Sequence, residues 1–179
     1  MTAPGEGGAN QGGANQGGAN QGGANQGGAY LVRDATERDL DAIVGYEIEI
    51  ATVSFGAEAV TDPALHRKRV AGSLGKPGEI TLVAASRQDP QVPLGWAWLS
   101  GRTNSLTGER YGNFRSLAVS QGPDRSLIGE LLLTAVLDAA DESGLTQVTG
   151  KVHAGNLGMR ALYRKFGFTA THLTMERRP

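Results

Sequence analysis

The stretch Asn156-Leu157-Gly158-Met159-Arg160-Ala161-Leu162-Tyr163-Arg164-Lys165-Phe166-Gly167-Phe168 decides how the rest of this chain reads. Asn156 to Phe166 has the pattern of a short helix, Gly167 is suited to stop it, and Phe168 to Glu176 returns as a strand. Asn156 and Tyr163 stand seven residues, or two helical turns, apart, so their side chains share one face of that helix. A neutral phenol there can protonate a leaving group as a general acid. By itself the same ring also suits a core position with its hydroxyl satisfied nearby.

Upstream, Thr146 to His153 alternates as a strand. Arg125 to Ser143 carries Leu127, Ile128, Leu131, Leu132, Ala135, Val136 and Ala139 along one helical face and ends at Gly144. Glu79 to Ser86, Leu94 to Gly101 and Arg110 to Val119 read as strands joined by short polar connections, which suits an antiparallel meander. Ahead of them lies a short strand, Tyr30 to Arg33. Thr36 with Asp39 then forms a capping box for a helix carrying Leu40, Ile43, Val44, Glu47 and Ile48, and running to about Ala51. Asp62-Pro63 opens a second helix with Leu65, Val70 and Leu74 on its apolar side. The order βααβββαβαβ predicts an α/β (α+β) sandwich, a mixed central sheet with helices on both faces.

The chain has 179 residues, and GGANQ repeats four times from Gly7 to Gln26. The repeats hold no apolar side chain larger than alanine to offset the entropy of ordering, and residues 1–29 read as a flexible, solvated spacer. Residues 30–179 remain as one domain. Once Glu6 of the tail is set aside, 17 basic residues face 17 acidic ones, so no electrostatic footprint for nucleic acid is present. His66-Arg67-Lys68-Arg69 reads as a solvated helix face. No apolar run is long enough for a membrane span, and no secretory signal is visible. With no cysteine there is neither a disulfide nor a thiol nucleophile, and a cytoplasmic location is the expectation.

The pattern Asn156-x-x-x-x-Ala161-Leu162-Tyr163-x-Lys165-x-Gly167-Phe168, together with the order of elements, resembles the GNAT superfamily over essentially the whole body. The resemblance implies an N-acetyltransferase that takes its acyl group from acetyl-CoA and needs no metal. It places Asn156 and Tyr163 toward the acyl-CoA, with Tyr163 returning a proton to the departing thiolate. The backbone of Leu117, Ala118 and Val119 would pair with the pantetheine amides where two strands splay apart. Arg125, Ser126, Leu127, Gly129 and Glu130 would surround the phosphates at the start of the long helix, where N–H groups and the helix dipole favour anions. The family's turn pattern, Q/R-x-x-G-x-G/A, falls on Asp124 to Gly129, and only Gly129 matches. That departure motivates an alternative, a catalytically weak acyl-CoA-binding regulatory module.

Glu49-Ile50-Ala51-Thr52-Val53-Ser54-Phe55, following Asp34 to Leu40, resembles the opening of the phosphinothricin and methionine sulfone N-acetyltransferase branch. This implies a small-molecule primary amine as acceptor, an amino acid or analogue, attacking directly. Glu49, Phe55 and Phe114 would lie beside it. Phe114 occupies the position where that branch has a glutamate. Candidates for taking the amine's proton are Glu49, Glu109 and His153, the last for its ordinary pKa near neutrality. A peptide amine is a further alternative, and Trp96 and Trp98, on one face of their strand, suit sheet packing, a pocket wall or a homodimer contact.

Overall fold

The computed structural model describes residues 28–172, together with 175 and 177. The repeats lie outside the described residues. Five strands form one sheet in the order β1 (Tyr30–Asp34), β2 (Glu79–Ser86), β3 (Pro93–Thr103), β4 (Arg110–Val119), β5 (Gln147–Gly150). β2, β3 and β4 pair antiparallel as the meander predicts, β1 adds antiparallel to β2, and β5 joins β4 in parallel, so the sheet is mixed. The helices are α1 (Leu40–Phe55), α2 (Pro63–Ala71), α3 (Arg125–Glu142) and α4 (Leu157–Lys165).

Strand alternation sends successive side chains into two different cores. Leu82 and Ala84 of β2, with Ala97 and Leu99 of β3, pack under Ile128, Leu132, Leu133 and Val136 of α3 and under Tyr163 of α4. Val83, Trp96 and Trp98 point the other way, toward Ile43 and Tyr46 of α1 and Val70 of α2. Both tryptophans are buried, and each indole N–H finds a carboxylate at 2.7 Å, Trp96 on Glu47 Oε1 and Trp98 on Glu79 Oε2. Sheet packing is therefore what this pair does. Glu47, on the same face of α1 as the apolar residues, is fully buried because Trp96 and Arg69 both hydrogen-bond it.

The helix starts follow their local chemistry. Asp39 accepts from the Thr36 N–H at 2.8 Å and from its hydroxyl at 3.0 Å, so the expected Thr36/Asp39 pairing forms. Asp62 accepts from Ala64 N–H at 2.9 Å ahead of Pro63. The basic run on α2 is only in part a solvated face. Lys68 and Arg67 are exposed, but His66 is buried with Nε2 at 2.7 Å from the Val60 carbonyl, and Arg69 pairs with Glu47.

Two features at the C-terminal side differ from the sequence expectation. The strand expected over Thr146 to His153 is shorter, because parallel pairing runs only from Tyr111↔Gln147 to Phe114↔Gly150 and then stops. The strand expected over Phe168 to Glu176 is not formed at Phe168 to His172, and part of its remainder lies outside the described residues. Gly167 adopts φ 79°, which reverses the chain. Phe168 then donates its N–H to the Tyr163 carbonyl at 3.0 Å and stacks its ring on Tyr163 instead of extending along β5.

Candidate active site

Where β5 stops, β4 continues. Its residues from Ser116 to Val119 pair with β3 on one side only, and the space left beside them is a cleft of about 710 Å³. That volume is in the ordinary range for small-molecule sites. A bulge shapes the same strand: Trp98 pairs with Ser116 and Leu99 with Phe114, leaving Arg115 as the extra residue. The cleft is walled by α1 and β4 on one side and by α3, α4 and the segment after β5 on the other.

Tyr163 lines this cleft and is 8% exposed. Its ring stacks on Phe168 at 4.7 Å between centroids and lies 5.9 Å from Phe114. A β-carbon at Gly150 would fall 2.8 Å from the Tyr163 hydroxyl, so the glycine where β5 ends makes the room that hydroxyl occupies. Burial pushes the Tyr163 pKa up to about 12, and among the described residues its hydroxyl has no hydrogen-bond partner. It is a neutral donor. Asn156 also lines the cleft; its side-chain oxygen caps α4 by accepting from Met159 N–H at 3.0 Å, which leaves its NH₂ group unspent.

His153 lines the cleft and is exposed. Its Nδ1 accepts from Gly155 N–H at 3.1 Å, so the neutral ring carries its proton on Nε2 and presents a donor, not a free lone pair. Glu49 lines the α1 wall, exposed, with no ion pair among the described residues. Glu109 sits in the β3–β4 hairpin, away from the cleft. Phe114 is in the wall, while Phe55, 66% exposed at the end of α1, is not.

At the start of α3, Asp124 does not cap the helix. Its carboxylate instead accepts from the Tyr30 hydroxyl at 2.5 Å, and that bond, with lesser contributions from desolvation and the nearby negative charge, raises the Tyr30 pKa. Arg125, Ser126 and Gly129 line the cleft beside Leu117, Ala118 and Val119. Leu127 is half exposed and not part of the wall, and Glu130 reaches across to Lys165 of α4 at 2.6 Å. Ser116, next to the bulge, has a buried hydroxyl without a partner among the described residues. Arg115 and Ser116 were not singled out by sequence reasoning. The register shift that aims them depends on the pairing of β3 with β4 and leaves no local signal. Among the described residues, no group of three or more His, Asp or Glu is arranged to hold a metal, and no helix is long and apolar enough to cross a membrane.

A splayed pair of strands, a helix start and a buried tyrosine facing one cleft define an acyl-transfer architecture. The chain belongs to the acetyltransferase (GNAT) family, which it matches over residues 40–168, and it is an acetyltransferase. No curated protein matches it. Among solved structures, it resembles a mutant protein from Bacillus halodurans with a TM-score of 0.74 at 15% identity, covering 83% of this chain and 99% of that one. A possible acetyltransferase from Clostridium difficile superposes with a TM-score of 0.67 at 16% identity, over 85% of this chain and 98% of the other. An aminoglycoside 6′-N-acetyltransferase from Acinetobacter baumannii gives 0.64 at 14% identity, over 84% and 97%. At these identities the likeness is one of fold.

Proposed function

We propose that the protein transfers an acetyl group from acetyl-CoA to the primary amine of a small molecule, by direct attack of the amine on the thioester. The observation that carries this reading is the unpaired edge of β4 beside a buried phenol without a hydrogen-bond partner among the described residues. Acetyl-CoA supplies the activated acyl group. The residues present suit it: the free backbone groups of Leu117 to Val119 offer strand-like hydrogen bonds to its pantetheine amides, and the uncapped first turn of α3, with Arg125, offers N–H groups and charge to its phosphates. Ser116 adds an unused buried hydroxyl.

Tyr163 keeps its proton throughout the neutral range, because its pKa is pushed up to about 12. An ordinary thiol sits near ~8.5, so full proton transfer to the leaving sulfur runs uphill. Tyr163 acts chiefly by donating a hydrogen bond to the sulfur as its charge develops. His153 offers its Nε2 proton to the same cleft, and Glu49 draws the acceptor's ammonium toward α1. The ammonium gives one proton to cleft water before the neutral amine forms its C–N bond to the thioester carbon; as the C–S bond breaks, CoA leaves as the thiolate and the new amide nitrogen loses its second proton to water. The carboxylate of Asp124 turned onto Tyr30, and Leu127 outside the wall, favour the enzymatic reading over that of a weak binding module.

The test is thiol release from acetyl-CoA by the purified protein in the presence of amino acids, polyamines and an aminoglycoside. Release that depends on an added amine is expected. Binding of CoA with no release for any amine defeats the proposal.

A further inference from the structure

Two charges of opposite sign line the cleft: Glu49 on α1 and Arg115, the bulged and exposed residue of β4, on the same side of it. Among the described residues neither takes part in an ion pair. The buried carboxylate beside Arg69 is spent: Glu47 accepts from the Trp96 indole N–H on one oxygen and from Arg69 on the other. Trp98 has Arg69 at 5.6 Å and Arg115 at 5.7 Å from its ring centroid, so one indole supports two guanidinium groups of which only Arg69 is neutralised. Burial and the charge of Arg115 both hold the Arg69 guanidinium below its ordinary range, as expected for two cations this close.

The location says what the free charge serves. Trp98 belongs to the sheet face covered by α1 and α2, whereas the α3 start lies against the other face, with Arg125 at its head. The remaining cations of the cleft, Lys151 and Lys165, follow β5 and sit on α4. Among the described residues, Arg115 is therefore the one cleft cation on the acceptor side. Resting on an aromatic face, its planar fork is restrained before anything binds, which lowers the entropy cost of a bidentate contact.

We infer that the acceptor is an amino acid with a free carboxylate, held by Arg115 through that carboxylate and facing Glu49 with its ammonium group. This rests on the acetyl transfer proposed above and narrows its acceptor to small zwitterions. Polyamines and aminoglycosides place cations against both groups and satisfy only Glu49.

The experiment compares thiol release from acetyl-CoA with free L-amino acids, with the same amino acids as carboxamides, and with the corresponding decarboxylated amines. The wild-type protein is expected to favour the best free acid over its amide by about 10- to 100-fold in kcat/KM, the effect of losing a charged hydrogen-bonding partner. Arg115→Gln brings that ratio to near one, mainly by raising KM for the acid, and Arg115→Lys keeps part of the preference. Tyr163→Phe lowers turnover of acid and amide alike, which separates recognition from transfer. Equal use of acids and amides by the wild-type protein overturns the inference while leaving the transfer reading intact, and so does an unchanged ratio in Arg115→Gln. Failure of every amine to release thiol overturns the transfer reading and this inference with it.

Discussion

Tyr163 joins a structural and a chemical role in one side chain. Its ring fills the core between Phe114 and Phe168, while its hydroxyl has no partner among the described residues. Tyr163→Phe is thus expected to fold with a stability change under about 1 kcal/mol, checked by urea denaturation. Its kcat is expected to fall by about 100-fold, checked by thiol release. The raised pKa also has an alkaline signature. The folded-state value of about 12 lies above the ordinary 10.0, so the folded protein holds this proton more tightly than the unfolded chain. The stability it contributes is fully present below pH 10.0 and is lost as pH rises toward about 12. Across that window the wild-type protein should lose about 2 kcal/mol more stability than Tyr163→Phe, read from urea titrations at several pH values. The position of Tyr163 is legible in the sequence, since the helix and its glycine stop set it on the Asn156 face. Its burial and its pocket against Gly150 are not, because both come from a different strand.

The start of α1 shows how far local sequence reaches among the secondary elements. The Thr36/Asp39 pairing forms as the spacing predicts. Its larger partner is Arg33 of β1, whose guanidinium grips Asp39 at 2.8 and 2.7 Å and ties the first strand to the first helix. Desolvation pushes the Asp39 pKa up, but the bonds from Arg33 and Thr36 outweigh it and the net shift is downward. The contribution is present above the ordinary value of 3.8 and is lost as pH falls through the lower folded value. Asp39→Ala removes the helix-start bonds and leaves Arg33, mostly covered, without its carboxylate. A loss of about 3 kcal/mol is expected at neutral pH, shrinking toward acid, and thermal melting at pH 7 and pH 3 checks both parts. The element expected to be longer than the structure shows, β5, is the one whose extent depends on a neighbour. A strand lasts only as long as it has an edge to pair with.

For the molecule as a whole, divergence of β4 from β5 creates the cleft, and two helical layers enclose the sheet that holds it. If the cleft holds CoA as proposed, the bound state is stabilised by mass action. At a CoA concentration 100 times its Kd, the gain is expected to be about 2.7 kcal/mol, visible as a rise in Tm. Arg125→Ala should weaken CoA affinity by about 10-fold with little change in the Tm of the free protein, because Arg125 makes only an exposed contact to Gln121 at 3.0 Å. Calorimetric titration of both proteins with CoA checks this.

The sequence by itself determined the alternation of strands and helices, the glycine stops and the helix that carries Tyr163, because all of them rest on periodicity and capping within a few residues; the family resemblance came from the motif Asn156 to Phe168 set on that order of elements. Tertiary structure decided where the second half of the site lies. Asp124, out of pattern for a phosphate turn, is drawn onto Tyr30 from the opposite end of the chain. Arg115, an ordinary strand residue by its surroundings in sequence, is turned into the cleft by a bulge that exists only when β3 and β4 pair. Contacts between residues distant in the chain set these orientations, and no local pattern encodes them.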